Sequence, residues 1–121
     1  MDRPKYVLKW KKKVQYFLEV TIPPYIINRY YTRDMAWDVK RSHMILSHAL
    51  KIVDEIDFFY NCGHVSARGW AAAIFVKSLE QYGVGIHKIE AAELFGVSTI
   101  TLRRRLTELE DMALLEENHG V

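Results

Sequence analysis

The sequence predicts an all-α fold. Three observations carry that prediction. Apolar residues recur at three-to-four spacing through most of the chain, glycine and proline are sparse, and the C-terminal third follows the grammar of a helix, a tight turn and a helix. The chain has 121 residues, 50% of them hydrophobic and 26% charged. That is the composition of one globular domain with room for a core of its own. No repeat of 20–50 residues and no Gly/Ser or Pro tract divides it.

The elements follow in order. Residues 5–20 place Tyr6, Val7, Trp10, Val14, Phe17 and Leu18 at helical spacing over a lysine-rich back, although their β-branched and aromatic content also admits a strand or hairpin. Pro23 and Pro24 are expected to end this element, because proline lacks the N–H a helix needs and biases its predecessor away from the α region. The helical pattern resumes over 25–37 through Ile26, Ile27, Tyr30, Tyr31 and Met35. It continues over 42–60, where Ser42 stands in the place of an N-cap and Asn61-Cys62-Gly63 makes a stop. Ser66-Ala-Arg-Gly opens a helix over 67–82 that contains the longest apolar run, Trp70–Val76. That run suits a helix buried on most sides. Gly83 and Gly85 close it. A short helix over 87–95 and a last one over 99–115 complete the chain. The expected organisation is a basic extension at 1–22 and a helical domain at 23–121 with its helix-turn-helix at 87–115.

Residues 88–109 (KIEAAELFGVSTITLRRRLTEL) carry the most information. Ala92 is small where two helices must approach closely. Gly96 supplies positive φ at the turn, Val97 plugs the gap, and Ser98 can accept a backbone N–H as the cap. Leu102, Leu106, Leu109 and Ala113 then fall on one face. This is the pattern of a DNA-binding helix-turn-helix. At ~100° per residue, Ile100 points roughly opposite Leu102, with Arg103 and Arg104 on the same outward side. An exposed isoleucine between arginines suits a helix entering the major groove. There Arg can fork onto guanine, and an apolar side chain can pack on a thymine methyl. Ser98, Thr99 and Thr101 are the expected phosphate contacts beside it, and Lys88 is a further expected DNA-binding residue. The plainer reading of the same residues is a packed helical hairpin with a solvated arginine cluster. Glu108, Glu110, Asp111, Glu116 and Glu117 should lie away from phosphates.

The stretch from Ser66 to Leu109 resembles the second cyclin-like repeat of archaeal transcription factor B and eukaryotic transcription factor IIB. The likeness rests on Ser66-Ala-Arg-Gly-Trp-Ala-Ala-Ala and on Gly96-Val97 followed by Ile100-Thr101-Leu102-Arg103-Arg104-Arg105. With the helix before it, the resemblance spans about residues 25–115. It implies a cyclin-like five-helix bundle, a helix that reads DNA beside a TATA box through Ile100 and Arg103, and a TATA-binding protein as partner. The chain departs from that family in having one repeat, no zinc ribbon and a lysine-rich N-terminal segment.

Charge is asymmetric. Residues 1–41 hold ten Lys/Arg against four Asp/Glu, whereas residues 42–121 hold seven against eleven. Lys9, Lys11, Lys12 and Lys13 around Trp10 read either as an arm on the DNA backbone or an acidic protein, or as the polar face of a helix whose aromatic residues are core. The aromatic residues between Tyr6 and Trp37 suit extra core or a homodimer face. A single cysteine, Cys62, excludes an internal disulfide and a Cys-pair zinc knot. His43 and His48 point ~140° apart on a helix, and no HExxH occurs. No catalytic residue, metal site or cofactor is expected. With no apolar segment of membrane-spanning length and no secretory leader, the chain is expected to be soluble and cytoplasmic, nucleoid-associated in an archaeal or viral setting and nuclear in a eukaryotic one. Three functions remain open on the sequence: a transcription regulator of the factor-B type, a stand-alone dimeric helix-turn-helix repressor, and a cyclin-like protein adaptor that binds no DNA.

Overall fold

A computed structural model of the chain describes residues 5–30, 35–59 and 67–119, with side chains described within 9–29, 36–56 and 67–112. Among the described residues five helices follow one another: α1 (Lys5–Tyr30), α2 (Met35–Phe59), α3 (Ala67–Gln81), α4 (Lys88–Phe95) and α5 (Thr99–His119). The described residues include no strand, so the strand or hairpin open to residues 5–20 is not formed.

α3 is the axis of the fold, packed against each of the other four helices. The reason lies in its sequence. Trp70, Ala71, Ala72, Ala73, Ile74, Phe75 and Val76 are all buried. A helix apolar on every side is stable only when every side has a neighbour. The three alanines let those neighbours come close, while Trp70 and Phe75 fill the larger gaps between them. α1 contributes Trp10, Val14, Leu18, Ile22 and Ile26, a stripe with every fourth residue buried. α2 contributes Ile45, Ala49, Val53 and Ile56. Each fully buried branched side chain contributes about 1.5–3 kcal/mol.

α1 corrects two expectations. It runs unbroken through Pro23 and Pro24, so the prolines do not end it, and position 22/23 lies inside a helix. Their missing N–H groups leave the carbonyls of Glu19 and Val20 without intrahelical partners. Ile22 and Ile26, fully buried on either side of the pair, hold the two segments on one axis against the core. Tertiary packing here outweighs a local preference. Of the stretch 25–37, read as one helical pattern, residues 25–30 belong to α1 and 35–37 to α2; residues 31–34 lie outside the described residues.

Ser42 is not an N-cap. α2 starts seven residues earlier, at Met35, and the Ser42 Oγ donates to the Val39 carbonyl at 2.8 Å within the same helix. α5 continues past the expected end at 115 to His119. The expected stop at Asn61-Cys62-Gly63 and the helix opening at Ser66 lie outside the described residues. So do the Ala113 side chain and His64.

Two helix ends share one device. After α3, Gly83 has φ +72°, its N–H bonds to the Glu80 carbonyl, and the Val84 N–H bonds to the Leu79 carbonyl. After α4, Gly96 has φ +67°, its N–H bonds to the Glu93 carbonyl, and the Val97 N–H bonds to the Ala92 carbonyl. Both are Schellman closures, which need a left-handed residue and place the next apolar residue over the helix just ended. Val84 is buried accordingly, and Val97 packs on the core. Among the described residues, no helix is long and apolar enough to cross a membrane.

Candidate nucleic-acid interface

The left-handed Gly96 turns the chain sharply between α4 and α5. Ser98 then caps α5: its Oγ accepts the Thr101 N–H at 3.1 Å and donates its own proton to the Thr101 Oγ1 at 3.0 Å. The capping serine therefore spends its hydroxyl internally. The Thr101 hydroxyl, already an acceptor, keeps its proton for an outside acceptor. Thr99 and Thr101 are half-buried and Ser98 exposed. The first backbone N–H groups of a helix have no intrahelical acceptor and point out of its positive end. Here they open beside these hydroxyls.

Leu102, Leu106 and Leu109 are buried and fasten α5 to α3 and α4. With that face fixed, Ile100 must point outward. It is 69% exposed, while Arg103 and Arg104 are both exposed. The third arginine behaves differently. Arg105 is largely buried, its side chain 14% exposed, lies over the Trp70 ring at 5.7 Å and bonds Glu108 at 2.8 Å. The fold thus sorts three consecutive arginines into two presented to solvent and one holding α5 on α3.

Trp70 also meets Trp10 of α1, edge to face with centroids 6.3 Å apart. The basic turns of α1 and the arginines of α5 therefore converge on the N-terminal end of α3. Lys9, Lys12 and Lys13 are exposed there. Lys11 is not presented in the same way; it forms an ion pair with Asp54 of α2. The burial of Trp10, Val14 and Leu18 makes residues 10–18 one side of the core, with the lysines on its wet face.

Lys88 is exposed at the start of α4, on the side of the acidic half of α5 rather than near Ile100. Its charge helps lower the Glu110 pKa. The larger cause is Lys77 of α3, whose Nζ bonds the Glu110 Oε1 at 2.9 Å. That hydrogen bond, and then the Lys77 charge, hold the Glu110 carboxyl below its ordinary value. Burial alone would lower the pKa of the Lys77 ammonium. The hydrogen bond to Glu110 and the charges of Glu80 and Glu110 outweigh it, so the Lys77 pKa is raised. The acidic half of α5 is in this way tied to the scaffold.

Arg68 escaped the sequence reading. It is exposed, its guanidinium lies 5.3 Å over the Phe17 ring, and Nη1 sits 3.1 Å from where a Cβ on Gly96 would stand. It therefore lies against the turn of the helix-turn-helix. The available signal was a cation at the head of a helix whose next eight residues are apolar or glycine.

A family model, the DeoR-like helix-turn-helix domain, matches residues 74–121. The match takes in the second half of α3, all of α4 and α5. No curated protein and no solved structure shows significant similarity to the chain. The match overturns the resemblance to transcription factors B and IIB, and with it the grounds for a cyclin-like repeat and a TATA-binding partner. The misleading features have a physical origin. Any packed helix-turn-helix needs a small residue, a left-handed glycine, an apolar plug, a cap and a leucine stripe, and any central helix with four neighbours favours an alanine-rich run. A helix-turn-helix of the matched type suggests a DNA-binding transcription regulator.

Proposed function

We propose that the chain is a DNA-binding transcription regulator that reads duplex DNA with the first two turns of α5. The observation that carries this reading is Ile100. A large apolar side chain 69% exposed, between exposed arginines at the start of a capped helix, costs free energy in water and gains it against a thymine methyl. Arg103 and Arg104 reach base edges on either side of it. Thr99 and Thr101, with the free N–H groups of the first turn, bind the flanking phosphates, while Ser98 fixes the start of α5 as its cap. Lys9, Lys12, Lys13 and Arg68, at the same end of α3, bind backbone phosphates further out.

The test begins with selection of a preferred site from a random duplex library. Fluorescence anisotropy on that site then compares the wild-type chain with Arg103→Ala. A bidentate guanine contact predicts a loss of ~1–3 kcal/mol, roughly 5- to 150-fold in Kd, with relaxed preference at one base position. Unchanged affinity together with unchanged base preference would falsify the assignment. The selected site also reports stoichiometry, because an inverted repeat requires two copies of α5 related by a twofold axis.

A further inference from the structure

α2 carries a second cationic surface that the reading above does not use. Between Val39 and Val53 the sequence holds Lys40, Arg41, His43, His48 and Lys51 and no acidic residue. Lys40, Met44, Ser47 and Lys51 follow one another along the outward stripe of α2, opposite the buried Ser42, Ile45 and Ala49. Trp37, Met44 and Tyr82 stand there 45%, 44% and 39% exposed. Lys40 and Arg41 lie over the Trp37 ring at 6.0 and 5.6 Å, and His48 meets the Tyr82 ring at 5.9 Å. Two shallow clefts open on this face, one lined by Trp37, Arg41, Met44 and Tyr82, the other by Lys40, His43, Ser47 and Lys51.

Lys40 and Lys51 are exposed, as Lys9, Lys12 and Lys13 of α1 are. Lys11, Lys77 and Arg105 each have a carboxylate partner within the fold. Among the described residues no ion pair engages Lys40 or Lys51. Asp54, the next acidic side chain along α2, is paired with Lys11, and Glu55 follows one turn beyond Lys51. The location matters equally. Tyr82 marks the C-terminal end of α3, whereas Arg68, Gly96 and Arg105 gather at its N-terminal end. The 15 residues of α3 separate the two ends by about 22 Å.

We propose that this face of α2 is a second DNA-backbone surface, which holds a duplex segment other than the one read by α5. The choice of polyanion rests on the DNA-binding reading. Cations spread over three turns with a serine hydroxyl between them match a run of phosphates, and exposed lysines bind such a run without regard to sequence. Trp37, Lys40 and Arg41 lie beside Tyr82 at the C-terminal end of α3, away from the end that carries the arginines of α5, so a single molecule can hold two duplex segments at once; Lys51, one turn from the Lys11–Asp54 pair, is the part of this face nearest the lysines of α1.

The test uses the full chain and a scrambled duplex that lacks the selected site. Lys40→Glu/Lys51→Glu, both exposed positions, should keep the helical circular dichroism of the wild type. The slope of log K against log salt for the scrambled duplex should become shallower by about two. The variant should also stop capturing a fluorescent duplex onto a bead-bound one, which the wild type does. Unchanged slope and capture overturn the proposal. So does loss of binding to poly-L-glutamate with duplex binding intact, which would assign the face to an acidic protein. Arg103→Ala/Arg104→Ala separates the two readings. It should remove preference for the selected site and leave the lysine-dependent slope in place. Intact site preference in that variant, with the slope still lost on changing the lysines, would sink the α5 reading and leave this surface standing.

Discussion

Replacing Gly96 by alanine probes the turn on which the interface depends. Its backbone sits at φ 67° and ψ 36°, where an L side chain costs about 1–2 kcal/mol. The alanine also stiffens the unfolded chain, which returns about 0.4–1 kcal/mol. The net expected destabilisation is about 1 kcal/mol. A second contribution is specific to this site. The new Cβ would stand 3.1 Å from the Arg68 Nη1, tighter than ordinary contact. The guanidinium can swing away, at the cost of part of its interaction with the Phe17 ring, roughly 0.5–1 kcal/mol when whole. Gly83 is the internal control, with φ +72° and nothing within 4 Å of where its Cβ would stand. Urea titrations followed by far-UV circular dichroism should show Gly83→Ala carrying the backbone cost alone. Gly96→Ala should be worse by a few tenths of a kcal/mol, and that excess should disappear in an Arg68→Ala background. Wild-type stability for Gly96→Ala would refute the left-handed turn. An excess that persists without Arg68 would refute the contact.

Other expectations concern the mounting of α5. Leu102→Ala, at a fully buried position, should cost about 2–5 kcal/mol in urea denaturation; a loss below ~1 kcal/mol would mean that the leucine stripe is not what seats the helix. The Lys77–Glu110 pair is exposed and screened, so Glu110→Gln should lower stability by only about 0.2–1 kcal/mol at neutral pH. The Glu110 pKa is lowered in the folded chain. Its contribution is therefore full above the ordinary glutamate value and fades as pH falls through the lower folded one. The Lys77 pKa is raised, so its contribution is full below the ordinary lysine value and fades as pH rises through the higher folded one. Thermal melts of wild type and Glu110→Gln should therefore converge in acid. A gap that persists at low pH would contradict the ion pair.

The helix-turn-helix was legible because its rules are local. A left-handed glycine, a capping serine and a four-three leucine stripe each act within one or two turns. Residues 92–109 accordingly announce their geometry without help from the rest of the chain. The outward aim of Ile100 follows from that stripe by helical arithmetic alone. The same locality explains the misassigned family. Grammar imposed by packing recurs wherever a helix-turn-helix occurs, and an alanine-rich helix ahead of it adds little that is specific.

The sequence by itself determined the helices over 67–82, 87–95 and from 99 onward, the central place of residues 70–76, the turn at Gly96 and the face that α5 turns outward. The tertiary structure alone decided that α1 passes two prolines, because the burial of Ile22 and Ile26 acts across the bundle rather than along the chain. It alone separated Arg105 from Arg103 and Arg104 by bringing Trp70 beneath one of them. It alone set Arg68 against Gly96, 28 positions apart in sequence, and it brought Tyr82 to the basic face of α2. Local propensity reads hydrogen bonds a few residues long; which charge meets a ring, a carboxylate or open water depends on contacts between helices.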